Sequence, residues 1–265
     1  MNVQPLPPLA PSARMRWAVV RSIVAGLRPA SILEIGCGGG GFGARLAGMA
    51  PRYTAVEPDP TSYRLADERI TPRGGTVING DHTRVPAGEG YDLVCAFEVL
   101  EHLAEDEAAL ADWVRLARPG GYVLLSVPAG PQRLGAWDRA VGHFRRYSPE
   151  QIAGRLTGAG CVRPQVRCYG WPVGYLLENL RNRIAGRDGA QPGSTVEERT
   201  ASSGRQLQPS RRLTGAAVTV ATAPFTLLQR LAPRHGVALV AVAQRPAGTS
   251  AAGAQAEQVL EPGQR

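Results

Sequence analysis

Residues Ile32 to Gly41, reading ILEIGCGGGG, set a short apolar run, a carboxylate at Glu34 and a cluster of glycines side by side. A run of this kind reads as a buried strand, and the glycines turn it into the start of a helix. Such a turn leaves bare backbone in front of a ligand. The same stretch contains G-x-G-x-x-G at Gly36, Gly38 and Gly41, the spacing that cradles a dinucleotide pyrophosphate. The glycines alone leave more than one nucleotide open, so the neighbouring strands must decide.

An alternation follows. SILEIG, YTAVE, GTVING, YDLVCAF and GYVLLSVP read as strands, separated by helical patterns in FGARLAGM, PTSYRLADERI and AEDEAALADWVRLA. VRPQVRCYGW and GVALVAVAQRP supply a sixth and a seventh strand. Units repeating this way predict an α/β fold, a Rossmann-like, mostly parallel sheet of seven strands with helices on both faces. SPEQIAGRLTGAG carries its own boundaries: Ser148 as N-cap, Pro149 in the first position, Glu150 in the first turn and a stop at Gly160.

Residues 1–30 read as a Pro-rich extension followed by a helix from Arg14 to Leu27, and residues 31–245 as one domain. Within that domain 186–212 lacks periodicity and is expected to be a mobile insertion, and 246–265 a disordered tail. The N-terminus has no continuous apolar stretch of the signal-peptide kind, which points to a cytoplasmic protein.

The formal net charge is +8, yet all 30 basic residues are Arg. Residues 161–265 hold 13 of them against 6 acids, so any basic surface lies in the C-terminal part. No aromatic and basic pattern of the nucleic-acid-binding kind accompanies it, and no nucleic-acid partner is expected. Cys37, Cys95, Cys161 and Cys168 form no C-x-x-C pair and have no histidine at zinc-ligand spacing, so they read as buried thiols and no metal is expected.

An acid two residues ahead of the first glycine works against a pyrophosphate and suits a ligand that is cationic nearby, one bearing an α-ammonium and a sulfonium. Glu34 is that acid. Glu57, about 20 residues past the first glycine, offers acceptor sites for two ribose hydroxyls under either reading. Asp81 ends the third strand, where a carboxylate can accept from the exocyclic amine of adenine, and His82 follows it.

With E-x-G-x-G at Glu34, Gly36 and Gly38, Glu57, Asp81, then YDLVCAFEVLEHL and RPGGYVLLSVP, the chain resembles the class I S-adenosylmethionine-dependent methyltransferases. The resembling branch includes the ubiquinone-biosynthesis O-methyltransferases and many small-molecule enzymes. The resemblance is close over Ile32 to Pro128 and looser beyond. It implies S-adenosylmethionine as cofactor, its methionine moiety against Gly36, Cys37 and Gly38 with Glu34 below, its ribose on Glu57, its adenine between Asp81 and His82, and Phe97 with Glu98 over the sulfonium. It also implies that the last strand runs antiparallel.

The acceptor side is read from WDRAVGHFRRYSP, which concentrates Trp137, Asp138, His143, Arg145, Arg146 and Tyr147 after the fifth strand. His143 is the candidate base for a hydroxyl acceptor, and Trp137, Arg145, Arg146 and Tyr147 are candidate contacts to a small molecule, anionic or apolar. GYLLENLRNRIAGR and APFTLLQRLAPR are amphipathic; helix packing is favoured over a contact with a membrane surface. Transfer of a methyl group to oxygen or nitrogen by in-line displacement is the function implied. The alternatives are an NAD-linked oxidoreductase with a similar pocket and a non-catalytic cofactor-binding or scaffold protein.

Overall fold

A computed structural model describes residues 5–86, 88, 90–188, 224–225, 228–231 and 234–247. All seven predicted strands are present: β1 (Ser31–Ile35), β2 (Arg52–Glu57), β3 (Thr76–Asn79), β4 (Tyr91–Phe97), β5 (Ala117–Pro128), β6 (Val162–Gly170) and β7 (Gly236–Gln244). They form one sheet in the order β3-β2-β1-β4-β5-β7-β6. Every neighbouring pair from β3 to β5 is parallel, whereas β7 runs antiparallel to both β5 and β6.

Alternation along the central strands divides the core between the two faces. Leu33, Val94 and Leu125 pack on one side with Trp113, Ile152 and Leu156 from α4 (Asp106–Leu116) and α6 (Pro149–Gly158). Ile32, Leu93 and Leu124 pack on the other with Met15 and Val20 of α1 (Pro11–Leu27) and Ala66 and Ile70 of α3 (Pro60–Ile70). Strands covered on both faces need apolar residues at nearly every position, which is why β1 is buried throughout. Helix α1 therefore belongs to the same core as the sheet. It starts at Pro11, a residue suited to a first helical position.

Local signals set several boundaries. Ser148 caps α6 by accepting from Gln151 N, and Gln151 returns the bond to Ser148 N at 2.8 Å. The helix closes at Gly158, and Gly160 follows with φ +92°. The helix predicted through FGARLAGM is a single turn, α2 (Gly43–Leu46). Each glycine in a helix costs about 1 kcal/mol relative to alanine, and Pro51 closes the segment behind Gly48.

The stretch after β5 holds α5 (Ala136–Val141), and the amphipathic segment that follows β6 is α7 (Val173–Asp188). Residues 186–188 of the predicted insertion thus lie in α7, and 189–212 fall outside the described residues, as does the tail from 248. All four cysteines are free; Cys37, Cys95 and Cys161 are buried and Cys168 is half-buried. No helix among the described residues is long and apolar enough to cross a membrane. Leu176, Leu180 and Ile184 form an exposed stripe on α7.

Candidate active site

The strand order reverses between β1 and β4, and such a switch point opens a crevice at the carboxyl ends of the strands. A cavity of about 760 Å³ lies there. Glu34, Gly36, Cys37, Gly38, Glu57, Phe97 and Glu98 line one part of it; Trp137, Asp138, His143 and Arg146 line another. Residues from Pro8 to Arg16, leading into α1, form a wall as well.

The glycine turn has a steric reason at two positions. At Gly36, φ is +68° and an added Cβ would sit 2.7 Å from Val99 Cγ2. At Gly38, φ is +53° and an added Cβ would meet nothing within 4 Å, so the turn leaves a cradle facing the cavity. Gly38 N–H donates to Glu57 Oε2 at 2.7 Å, and Asp59 N–H donates to Glu57 Oε1 at 2.9 Å. Each carboxylate oxygen keeps a further lone pair, so Glu57 is oriented by backbone and still able to accept.

Glu34 is 2 % exposed and accepts a hydrogen bond from Tyr53 Oη. Burial raises its pKa to about 8, the Tyr53 bond opposes the rise, and the neighbouring Glu57 adds to it. Burial thus favours the neutral form of the carboxyl beneath the turn, where the simple picture has a fixed negative charge.

Glu98 holds a left-handed backbone, φ +57°, which is costly for a residue with a side chain. Its surroundings hold it there: its N–H donates to Ser126 O at 2.9 Å, Ser126 Oγ donates to its Oε1 at 3.1 Å, and Arg16 Nη2 lies 3.2 Å from its Oε2. Arg16 also donates from Nε to Tyr169 Oη at 2.8 Å. Burial would lower the pKa of Arg16, but Glu98 and Tyr169 outweigh it and hold the guanidinium charged.

On the far side of the cavity His143 Nδ1 lies 2.8 Å from Asp138 Oδ1. Burial alone would raise the pKa of Asp138, but hydrogen bonds from His143 and Arg146 hold it well below the usual carboxylate range. Asp138 is therefore an acceptor, Nδ1 carries the proton, and Nε2 is left as the basic nitrogen. Nε2 stands 3.9 Å from Glu101 Oε1, and the ring meets His102 edge-on at 4.6 Å.

Glu101 is fully buried, and neither carboxylate oxygen has a hydrogen-bond partner among the described residues. Burial and the charge on Glu98 push its pKa well up. His102, depressed to about 3 by burial and by His143, is neutral, and a ring nitrogen bonds the Gly142 carbonyl. Donor atoms of Glu101, His102 and His143 lie within 4.8 Å of one another, a set able to receive a divalent cation. Sequence spacing gave no sign of this cluster because the fold brings His143 to Glu101 from another connection.

Four of the predicted site residues do not line the cavity. Asp81 is exposed at the end of β3, where its carboxylate accepts from Thr83 N at 2.9 Å and so caps a turn. His82 Nε2 lies 3.3 Å from Asp112 Oδ2. Arg145 donates to Asp106 Oδ1 at 2.5 Å and to Ala104 O at 2.6 Å, and Tyr147 donates to Asp106 Oδ2 at 2.9 Å. Both are held outside the cavity lining by that shared buried carboxylate.

Arg146 does line the cavity, but Asp138 takes it bidentately, Nε to Oδ1 at 2.9 Å and Nη2 to Oδ2 at 2.7 Å, and Glu178 takes its Nη1. Its charge is already used. Arg16, Glu178 and Arg181 are cavity residues that the sequence reading did not single out. The one local sign was the spacing of Glu178 and Arg181, which a helix places on neighbouring positions of one face.

The sequence profile of a family described as "Methyltransferase domain" matches residues 14–163. A ubiquinone biosynthesis O-methyltransferase of Methylobacterium sp. (strain 4-46) is 32% identical over 152 residues, covering 50% of this chain and 59% of that protein. An uncharacterized methyltransferase of Mycobacterium leprae (strain Br4923) is 28% identical over 114 residues, 43% of this chain and 42% of that protein. The chain thus spans about half the length of the curated relatives it matches. Among solved structures, the N-methyltransferase NodS of Bradyrhizobium japonicum WM9, in complex with S-adenosyl-L-homocysteine, is similar with a TM-score of 0.51 and 18% identity, covering 89% of this chain and 87% of that one. At that identity the likeness concerns the fold.

Proposed function

Because the chain belongs to the family described as a methyltransferase domain, we propose that it transfers a methyl group from S-adenosylmethionine to an oxygen or nitrogen of a small-molecule acceptor. One observation carries this reading: Glu34, the open cradle at Gly38 and the backbone-oriented Glu57 converge on one cavity, and His143 with Asp138 stands on its other side. The residues present fit the donor, Glu57 toward ribose hydroxyls, the glycine turn and Glu34 toward the methionine moiety. When bound, S-adenosylmethionine supplies an electrophilic methyl group on a sulfonium.

The chain's own work is positioning, exclusion of water and handling of one proton. Phe97 and Phe42, with ring centroids 5.1 Å apart, and Trp17 behind them present an apolar wall. Alignment of acceptor and methyl in such a site accounts for a large part of the rate. For a hydroxyl acceptor His143 Nε2 takes the proton, and Asp138 stabilises the resulting imidazolium. Isothermal titration with S-adenosylmethionine and NADH tests the cofactor, and product analysis with a labelled methyl donor tests the transfer. Binding of NADH alone would favour an oxidoreductase, and tight donor binding with no labelled product from a metabolite pool would favour a scaffold.

Glu34 gives the cofactor reading a second test. A cation brought to a carboxyl whose pKa is about 8 lowers that pKa and expels its proton. Calorimetry at pH 7 in buffers of different ionisation enthalpy is expected to find close to one proton released per donor bound, falling toward zero above about pH 9. Glu34→Gln abolishes the release; an unchanged release in that variant places the proton elsewhere.

The unpartnered carboxylate of Glu101 favours one variation on the chemistry, in which Glu101, His102 and His143 hold a divalent cation that polarises an acceptor hydroxyl. Chelation followed by gel filtration separates the two. Full activity without added metal supports His143 as the base, whereas loss that Mg²⁺ or Zn²⁺ restores supports the cation.

A further inference from the structure

Arginines 16, 146 and 181 all line the cavity. Arg16 is paired with Glu98, and Arg146 with Asp138 and Glu178. Arg181, on α7, makes no ion pair with any described residue, and its Nε is buried without a hydrogen-bond partner. Its guanidinium carbon stands 5.4 Å from the centroid of Trp137. That stack is held in place because Asn182, the next residue on α7, accepts from Trp137 N at 3.0 Å and so ties α5 to α7. Burial depresses the Arg181 pKa; the charges of Glu98 and Glu178 oppose this and that of Arg146 adds to it.

Arg181 is half-buried, and a guanidinium that lines a cavity with an unused buried donor is favoured by an anion that completes it. The planar fork matches a carboxylate, and the nearby Glu98 and Glu178 disfavour a group carrying more than one negative charge. We propose that Arg181, seated on Trp137, binds a carboxylate of the methyl acceptor, so that the substrate is a small organic acid. The proposal rests on the methyl-transfer reading of the same cavity and moves the expected anion contact from Arg145 and Arg146, whose charges are engaged, to Arg181.

The test is titration of protein loaded with S-adenosylhomocysteine against protocatechuate and caffeate, each beside its amide. In the wild type the acids are expected to bind at least about tenfold more tightly than the amides. In Arg181→Met the two should fall within about twofold, and Arg181→Lys should restore part of the preference, with S-adenosylhomocysteine affinity and thermal midpoint checked in both variants. No preference in the wild type, or a preference that survives Arg181→Met, overturns the subsite. Failure of S-adenosylhomocysteine to bind would instead count against the methyl-transfer reading, and the acid and amide pairs can then be titrated on unloaded protein.

Discussion

Glu57→Ala is expected to weaken S-adenosylmethionine binding by about a hundredfold, the loss of two charge-assisted hydrogen bonds at roughly 1.5 kcal/mol each. The carboxylate sits at the end of β2 and is oriented by Gly38 and Asp59 N–H, so its removal takes away the ribose acceptor and loosens the glycine turn together. Glu57→Gln separates the two contributions. It keeps an acceptor oxygen but brings an amide that cannot accept on both sides, and a loss of about tenfold is expected. Calorimetric titration reads both variants, with a thermal melt to show that the fold persists. An unchanged dissociation constant in Glu57→Ala would mean that the ribose is held elsewhere.

The second large effect falls on turnover. His143→Ala should lower kcat for a hydroxyl acceptor by about 10²- to 10³-fold while leaving the donor dissociation constant within about twofold, the pattern of a group that handles the proton and does not hold the cofactor. A phenolic acceptor acidified by a nitro group is already ionised at neutral pH and needs no base, so the deficit of His143→Ala should shrink toward unity with that substrate. A deficit of equal size on both acceptors, or equal losses in kcat and in donor affinity, would remove His143 from this role.

Much of the fold is legible in the sequence because its causes are local. The apolar alternation of β1, β4 and β5, the cap at Ser148 and the turn at Gly36 are each determined by residues within a few positions. One part of the cavity is legible for the same reason: Glu34, Gly38 and Glu57 follow directly from the ends of two adjacent strands.

The part opposite is not. Arg145 and Tyr147 look like free contacts until Asp106, on α4, takes both, and Arg146 looks like an anion binder until Asp138 and Glu178 surround it. Conversely, nothing near Arg181 in the chain says that it will form no ion pair with the described residues. Charge compensation is a property of three-dimensional neighbours, and arginine, the only strong base in this composition, cannot be sorted into engaged and available copies without them.

The wall that α1 contributes has a kinetic consequence. Arg16 joins that helix to Glu98, just after β4, and to Tyr169 on β6, so three separate connections meet at one guanidinium beside the cavity. For the proposed methyl transfer, the residence time of donor and spent product is then tied to that ion pair as well as to the strand ends.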